Sequence, residues 1–382
     1  MIAHRGEKKA RNAKARRSTV SGMNGHRSQA PYFRTNLGAS YLGDSLSVLP
    51  EQVAPGSVDL IVTSPPFGLV RKKDYGNVDS DDYVEWFKPF GELFHRLLKP
   101  TGSLVIDIGG AWIPGQPTRS LYHYELLLML CRQVKFHLAQ EFFWWNPARL
   151  PTPAEWVTVR RIRVKDAINC VWWLSPTPWP KASNRRVLAP YSDAMRGLLK
   201  NGYKAKLRPS GHDISTKFSI DNGAAIPPNL LAIAHTESNS AYLRYCKEHG
   251  LPPHPARYPA ELPEFFIRML TDKRDLVVDP FAGSCSTGEV AERLGRRWVC
   301  SELVDEYLRG ARGRFNADDM LFPFASRKKR ADGESYRVSR LGDGWGTADD
   351  SPLAEDGGRT RQGADRGRKA VGSKGRTRRE SA

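Results

Sequence analysis

Segments that would point to a membrane, secreted or zinc-binding protein are missing from this sequence. A membrane span needs roughly 20 apolar residues, whereas the longest apolar runs here are short stretches such as Leu126 to Leu130. The five cysteines include no pair with Cys-x-x-Cys spacing, so neither a zinc site nor disulfides are predicted. The basic N-terminal segment is not followed by the apolar segment of a secretory signal. We therefore expect a cytoplasmic protein without a metal ion and without membrane contact.

The positive charge of the chain is concentrated at its two ends. Of a net charge of +18, residues 1–30 carry +7 and residues 327–382 carry +6, which leaves +5 for the rest. The segments 1–30 and 322–382 are rich in Gly, Ser, Arg and Lys and poor in large apolar residues, so both are predicted to be disordered. A basic protein attracts polyanions such as DNA. Solubility alone would explain the basic tails equally well.

Between about residues 31 and 321, strand-like and helix-like segments alternate. This pattern is typical of an α/β domain with a doubly wound, mostly parallel sheet. Apolar runs at 58–62, 104–108, 142–145, 167–174, 276–279 and 298–301 predict strands. From about 176 to 250 the alternation gives way to Pro, Gly, Asn, Ser and basic residues. The sequence therefore predicts two halves of one domain, 31–175 and 251–321, separated by an insertion over 176–250.

The predicted strand at 276–279 leads into a loop of small residues that opens a helix, Asp279-Pro280-Phe281-Ala282-Gly283-Ser284-Cys285. Such a loop lets the backbone approach a nucleoside, and Glu302, nineteen residues after Gly283, can accept both ribose hydroxyls. The loop lacks the Gly-x-Gly-x-x-Gly pattern of dinucleotide sites, and Asp279 would repel a pyrophosphate. We therefore favour S-adenosylmethionine, which has a sulfonium cation and no phosphate. A tight structural turn is the alternative.

A second motif, Ser64-Pro65-Pro66-Phe67, follows the predicted strand at 58–62. The two prolines fix their φ angles and hold Ser64 in an extended conformation, which makes the tetrapeptide rigid. The amino nitrogen of cytosine is a poor nucleophile, and acceptors such as Ser64 Oγ and the Pro65 carbonyl would localise its lone pair. Phe67 offers a face on which an extruded base can stack. In isolation the motif is equally compatible with a loop terminator.

Two absences narrow the choice of the atom that accepts the methyl group. No cysteine follows a proline, which argues against the cysteine-nucleophile chemistry that methylates carbon five of cytosine. The residue before the two prolines is serine and not an acid, whereas an acidic first residue is the usual form for adenine N6. The motif therefore favours cytosine N4 as the methyl acceptor.

Together the two motifs resemble the amino-methyltransferases of restriction–modification systems. Because the catalytic motif precedes the donor motif, the circularly permuted order is similar to that of their β group. The segments 71–77, 161–167, 208–214, 254–259 and 262–267 also look similar to a cytosine-N4-specific member. The resemblance covers about residues 40–310 and implies a methyltransferase domain whose catalytic half is 31–175 and whose donor-binding half is 251–321.

The resemblance implies a role for each residue that matches a family motif. Ser64 to Phe67 would form the catalytic motif, and Glu302 would bind the ribose. The residues implied to border the methionine moiety are Asp279, Phe281, Gly283 and Ser284. Asp44 matches a position near the adenine, and Pro263 and Glu264 lie in the segment that matches the donor-side helix. Cys285 departs from the family, since most relatives carry glycine there.

The resemblance also implies a partner and a target. The partner is double-stranded DNA, the insertion is similar to the target-recognition region, and a palindromic CAGCTG with its inner cytosine modified is the candidate target. The residues expected to contact DNA are Lys72, Lys73, Lys206, Arg208 and His212. The enzyme would protect DNA from a cognate restriction endonuclease that acts on the same site without touching it.

Several alternatives stay open at this stage. Methylation of adenine N6 or of RNA is the nearer one, and a non-catalytic DNA-binding protein with a decayed donor site is the more distant. Packing in the core is favoured over base stacking for Trp144, Trp145, Trp172 and Trp173. Packing is likewise favoured for His254, because no second histidine lies at metal-binding spacing.

Overall fold

The computed structural model describes residues 29–68, 79–202, 220–235, 240–315 and 320. Contacts divide the chain into two units, residues 1–326 and 327–382, and every described residue lies in the first. The tails for which disorder was predicted lie outside the described residues, apart from Gln29 and Ala30. Within the described ranges, no helix combines the length and the apolar character needed to cross a membrane.

Among the described residues, nine strands form one sheet in the order β1-β2-β9-β8-β3-β4-β6-β5-β7. The strands are Phe33–Arg34 (β1), Gly38–Leu42 (β2), Val58–Thr63 (β3), Leu98–Ile108 (β4), His137–Trp145 (β5), Ile168–Ser175 (β6), Leu230–Ala232 (β7), Leu276–Asp279 (β8) and Arg297–Glu302 (β9). The α-helices of the same ranges are Ser45–Gln52 (α1), Tyr83–Leu97 (α2), Tyr122–Arg132 (α3), Asp193–Asn201 (α4), Ala241–Glu248 (α5), Glu261–Leu270 (α6), Ser286–Arg293 (α7) and Asp305–Ala311 (α8).

The sheet is mostly parallel. Strands β2, β9, β8, β3 and β4 run parallel to one another, and β7 runs parallel to β5. Only β1 and β6 run antiparallel to the strands beside them in the described part of the sheet. Helices α1, α2 and α7 follow the parallel strands β2, β3 and β8, as the long connections between parallel strands require. The predicted doubly wound α/β sheet is thereby confirmed.

The connections of the sheet diverge between the neighbouring strands β3 and β8. The chain leaves β3 through α2 toward β4 on one side, and it leaves β8 through α7 toward β9 on the other. In open α/β sheets, ligands bind beyond the carboxyl ends of the strands at such a switch point. The two strand ends meet directly, since Thr63 Oγ1 donates a hydrogen bond to Asp279 Oδ1 at 2.6 Å.

The central strand β3 is buried along its whole length, as expected of a parallel strand covered on both faces. Alternate side chains point to opposite faces of the sheet. Leu60 and Val62 pack in one apolar cluster with α6 and α7, and Ile61 packs in a second cluster with α1, α2 and α3. Burial of each of these side chains contributes about 2 kcal/mol. The two clusters fix the strand ends that carry the motifs.

The described part of the segment 176–250, predicted as an insertion, contains one strand and two α-helices that were not predicted: β7, α4 and α5. The three-residue strand β7 extends the sheet by pairing with β5, where Leu231 lies opposite Trp144. Helix α5 buries Tyr242 and Cys246, and the Tyr242 hydroxyl accepts a hydrogen bond from the His254 backbone N–H at 2.7 Å. Residues 241–248 therefore pack with the segment that precedes α6. The boundaries of the recognition region stay a prediction.

One of the four tryptophans expected in the core is not there. Trp144, Trp172 and Trp173 are buried, whereas Trp145 is 39% exposed. Trp145 is the last residue of β5, one strand from the edge of the sheet, where the face opposite Trp144 is incompletely covered. The prediction of a core position was wrong for this residue.

Candidate active site

A cavity of about 240 Å³, the donor cavity, lies at the switch point of the sheet. Five of the residues predicted to bind the cofactor line it, and they follow three different strands: Asp44, Phe281, Gly283, Ser284 and Glu302. The catalytic tetrapeptide Ser64 to Phe67 forms another part of its wall. The structure therefore brings both sequence motifs to one cavity.

Glu302 ends β9 at the edge of the donor cavity. Its Oε2 accepts a hydrogen bond from the Gly283 N–H at 2.8 Å, and its Oε1 accepts one from the Val304 N–H at 3.0 Å. Burial raises the pKa of Glu302, against the effect of these hydrogen bonds. Because each carboxylate oxygen has a second lone pair, the side chain can still accept hydroxyl donors such as those of a ribose.

Asp44 also lines this cavity, at the start of α1, two residues after Leu42, which pairs with Glu302 in the sheet. Its side chain caps the helix by accepting a hydrogen bond from the Leu46 N–H at 2.9 Å. The cap orients a carboxylate whose remaining lone pairs face a cavity of nucleoside size. The sequence alone indicated the position but not the cap.

Asp279 does not line the donor cavity but lies behind its wall, 1% exposed. Its Oδ1 accepts from Thr63 Oγ1 and the Phe281 N–H, and its Oδ2 accepts from Thr287 Oγ1 at 2.6 Å and Tyr258 Oη at 3.0 Å. Burial raises the pKa of Asp279, whereas these hydrogen bonds oppose that rise. Asp279 thus fixes the conformation of the donor loop. Because it does not line the cavity, it would influence a bound methyl donor through that loop and not by direct contact.

Pro263 and Glu264, predicted as cofactor residues, lie on α6 and are not among the residues that line the donor cavity. Pro263 is buried in the helix packing. Glu264 pairs with Arg268 at 2.8 Å and with Arg293 of α7 at 2.9 Å, and the two guanidinium groups lower its pKa against the effect of burial. In this structure Glu264 joins two helices, and neither residue reaches the cavity.

Three aromatic rings form one side of the donor cavity: Trp86, Phe90 and Phe281. The ring centroid of Phe281 lies 5.0 Å from that of Phe90 and 6.0 Å from that of Trp86. Such rings offer flat faces to a heteroaromatic ligand. Trp86 and Phe90 were not predicted from the sequence. Their four-residue spacing, which places both on one face of α2, is the signal that points to them.

The donor loop has two residues with left-handed backbone. Gly283 has a φ of +52°, and a Cβ added there would lie 3.1 Å from the His254 ring. Cys285, at a φ of +56°, is a buried non-glycine residue in the same conformation. Burial lowers the pKa of His254 to about 4, so its ring is neutral, packs against Tyr307 and also lines the donor cavity. The donor loop therefore presents its backbone to the cavity, next to the neutral imidazole of His254.

The catalytic tetrapeptide is held by hydrogen bonds to two buried side chains. Ser64 Oγ donates to Asp107 Oδ2 at 3.0 Å, and Tyr83 Oη donates to the Pro66 carbonyl at 2.8 Å. Asn169 Nδ2 donates to the other oxygen of Asp107 at 3.0 Å. Because its proton is directed to Asp107, the Ser64 hydroxyl presents lone pairs to a donor on its other side.

Asp107 was not predicted as a site residue. It lies in β4, and the parallel register that pairs Thr63 with Ile106 brings it beside Ser64. Burial raises the pKa of Asp107 to about 6, although hydrogen bonds from Asn169 and Ser64 and the charge of Arg149 act in the opposite direction. Asp107 is therefore ionised at neutral pH and takes up a proton slightly below it.

A second cavity of about 250 Å³, the acceptor cavity, adjoins the donor cavity at Ser64 and Phe67 of the tetrapeptide. Its lining includes Asp107, Trp144, Asn146, Arg149 and Asn169. Ser64, Phe67 and residues 256–258 line both cavities and form a shared wall. The Phe67 ring lies against the Gly109 backbone, where a Cβ would come within 2.6 Å of it, so only glycine fits at 109. A group bound in either cavity touches this wall.

The residues predicted to contact DNA, Lys72, Lys73, Lys206, Arg208 and His212, lie outside the described residues. Their roles stay predictions. In the described part of the chain, no three or more His, Cys, Asp or Glu side chains gather where they could hold a metal ion.

Residues 58–312, well over half of the chain, match the DNA methylase family. The chain belongs to this family. The methylase is 52% identical over 288 residues to the Type II methyltransferase M.PvuII of Proteus hauseri, which covers 75% of this chain and 85% of the relative. It is 26% identical over 281 residues to the Type II methyltransferase M.BglII of Bacillus subtilis, covering 72% and 68% of the two chains.

A solved structure supports the same assignment. The methylase is similar to the PvuII DNA methyltransferase (cytosine-N4-specific) with a TM-score of 0.62 and 45% identity, covering 76% of this chain and 90% of that chain. The predicted family, the α/β methyltransferase fold and the identity as a DNA methyltransferase that uses S-adenosyl-L-methionine are confirmed.

Proposed function

We propose that this methylase transfers the methyl group of S-adenosyl-L-methionine to the N4 amino group of a cytosine in double-stranded DNA. The observation that carries the proposal is the shared wall, where Ser64 and Phe67 line both cavities. A methyl donor on one side of Ser64 and an amino group on the other would lie within reach of each other. Direct transfer between two bound groups requires this arrangement.

The residues of the donor cavity fit S-adenosyl-L-methionine. Glu302 would accept the ribose hydroxyls, the rings of Trp86, Phe90 and Phe281 would cover the adenine, and Asp44 would lie near it. Among the described residues that line the cavity there is no lysine and the only arginine is Arg257, which suits a ligand without phosphates. When bound, the cofactor supplies a methyl group on a sulfonium centre.

Ser64 and Asp107 would prepare the amino group and remove its proton. Ser64 Oγ accepts a hydrogen bond from the cytosine amino group, while its own proton stays directed to Asp107. As the new N–C bond forms, the nitrogen must lose one proton, and Ser64 can take it while passing its own to Asp107. With its pKa raised to about 6, Asp107 is a better base than an ordinary aspartate and then releases the proton to solvent.

The acceptor cavity also supports base flipping. A paired cytosine cannot bring its amino group to Ser64 behind the cavity rim, so the base must leave the duplex at a cost of a few kcal/mol. Phe67 and Trp144 line the cavity and offer rings against which the extruded base can pack. An Nε1–H bond from Trp144 to the Ile233 carbonyl at 2.9 Å fixes that ring in advance.

The choice of cytosine rests on the serine at the first motif position and on the 52% identity to M.PvuII. Cytosine N4 bears two N–H donors, and Ser64 with Asp107 offers acceptors for them. We extend the proposal to a CAGCTG target with the inner cytosine modified, to activity in the cytoplasm, and to protection against a cognate endonuclease that cuts the same sequence.

The test is to express the chain in a host without such modification and to analyse its DNA. The expected results are N4-methylated deoxycytidine in the nucleoside digest, its location at CAGCTG by sequencing, and resistance to an endonuclease that cuts CAGCTG. N6-methyladenine, or a methylated base in RNA alone, would refute the cytosine assignment. A chain with Ser64→Ala serves as the control. Failure of labelled S-adenosyl-L-methionine to bind in equilibrium dialysis would refute an enzymatic role altogether.

A further inference from the structure

The loop between β5 and β6, residues 146–167, adjoins the acceptor cavity but has no part in the chemistry proposed above. It leaves β5 after Trp145 and enters β6 at Ile168, at the end of the strands where β4 carries Asp107. Asn146 and Arg149, at its start, line the acceptor cavity. We call residues 146–167 the β5–β6 loop. Its position places it beside any nucleotide that enters the cavity.

The composition of the β5–β6 loop is unusual for a solvent-exposed loop. It carries five basic side chains and two carboxylates. Between its basic residues, four aliphatic side chains lie exposed: Leu150 at 74%, Val159 at 68%, Ile162 at 59% and Val164 at 86%. Three of them, Val159, Ile162 and Val164, lie within six residues of one another, and an exposed apolar patch indicates an interaction site. Interleaved basic side chains suit a partner with a negatively charged surface and apolar groups between the charges.

Ion pairs and hydrogen bonds fix the loop against the rest of the site. Arg163 and Arg119 both pair with Asp166, at 3.0 and 3.2 Å. Lys165 Nζ donates to the Arg149 carbonyl at 3.1 Å, which joins the end of the loop to the cavity wall at its start. These contacts neutralise part of the positive charge of the loop and fix the conformation of its surface.

Arg161 takes no part in these ion pairs. It is exposed, and none of the carboxylates in the described ranges forms an ion pair with it. Its backbone has a φ of +56°, a conformation that disfavours non-glycine residues by about 1 kcal/mol or more. The neighbouring Arg160 differs, because it pairs with Glu155 at 2.7 Å and lies over the Trp156 ring. A guanidinium group is therefore held at the loop surface without a partner in the described chain.

We propose that the β5–β6 loop binds the DNA duplex beside the target cytosine, with Arg161 on a backbone phosphate and Ile162 and Val164 against the adjoining sugars and base edges. Arginine neutralises phosphates, and aliphatic side chains pack against sugars or exposed base steps. This inference rests on the proposed function, because a duplex lies here only if its cytosine enters the acceptor cavity.

The experiment measures the dissociation constant of the full-length chain for a duplex that contains CAGCTG, without methyl donor, over a series of salt concentrations. Loss of one phosphate contact lowers the slope of log affinity against log salt by about 0.9, or roughly eightfold in affinity at 0.1 M salt. We expect this change for Arg161→Gln. The matched control is Arg274→Gln, an exposed arginine with a φ of +71° that precedes β8 at the opposite end of the strands.

The aliphatic part is tested by the double variant Ile162→Ser/Val164→Ser. It should lose affinity for the duplex with the salt slope unchanged, because no ionic contact is removed. Unaltered donor binding and unfolding midpoints in all variants would exclude a general structural effect. If Arg161→Gln binds and methylates like wild type, with the same salt slope, the inference is wrong while the proposed function stands. Failure of the wild type itself to bind or methylate the duplex would refute both.

Discussion

Replacement of Asp107 by asparagine should make the protein more stable and less active at neutral pH. Asp107 is 4% exposed, and burial raises its pKa from 3.8 to about 6. In the folded protein its charged form is therefore disfavoured relative to the unfolded chain. An amide of nearly the same shape removes that penalty, and it can still accept a hydrogen bond from Asn169 and donate one to Ser64.

The sign and the size follow from proton linkage. Between pH 3.8 and 6 the folded state binds more protons at Asp107 than the unfolded state, so wild-type stability falls as the pH rises through this window. The full loss is about 3 kcal/mol above pH 7, and roughly half of it is already present at pH 5. The stability advantage of Asp107→Asn should therefore grow by about 1 kcal/mol between pH 5 and pH 7.5.

Urea unfolding of both proteins at pH 5, 6, 7 and 7.5 measures this difference, and any change in hydrogen bonding by the amide adds an offset that does not vary with pH. Methylation rates at pH 7.5 should fall by about 10²-fold, because the amide cannot take the proton that Ser64 passes on. A stability difference that is constant with pH, or full activity of the variant, would show that Asp107 is not a buried base coupled to Ser64.

Three further substitutions separate the parts of the site. Ser64→Ala should lower kcat by about 10²-fold while the donor dissociation constant, measured by equilibrium dialysis, stays unchanged; an equal loss of donor affinity would contradict the acceptor role of the hydroxyl. Glu302→Ala should do the reverse, weakening donor binding roughly 100-fold as Gly283 and Val304 lose a charged acceptor. Cys285→Gly should unfold at a higher temperature than Cys285→Ala, because glycine relieves about 1 kcal/mol of left-handed strain that alanine keeps; the opposite order would argue against strain in the donor loop.

The sequence predicted those features of the fold that depend on local patterns. Strand β8 was predicted with its observed bounds, and the two motifs lie at adjacent strand ends as the doubly wound pattern requires. Its spacing after the small-residue loop indicated Glu302, and the family resemblance indicated Asp44, Phe281, Gly283 and Ser284; all five line the donor cavity. The short strand β7 and the helices α4 and α5 were missed. The three residues of β7 lie among Pro, Gly and Asn and give no periodic signal, and each helix is at most nine residues long within the same irregular composition.

The parts of the site that the sequence did not predict depend on contacts between segments that lie far apart in the sequence. Asp107 is one aspartate in the apolar second half of β4, 43 residues from Ser64, and only the register of β3 against β4 pairs them. Asp279 was placed at the cofactor from its position in the motif, whereas four hydrogen-bond donors from other elements enclose it. Composition identifies a carboxylate but does not reveal which groups will surround it once the strands pair.

The wall that separates the two cavities also links the two binding equilibria. A ligand that orders Phe67 or residues 256–258 from one side prepares the same groups for a ligand on the other side. The factor by which DNA raises affinity for the donor must equal the factor by which the donor raises affinity for DNA, because both complete one thermodynamic cycle. We expect that factor to exceed one, so that each substrate helps to retain the other until methyl transfer occurs.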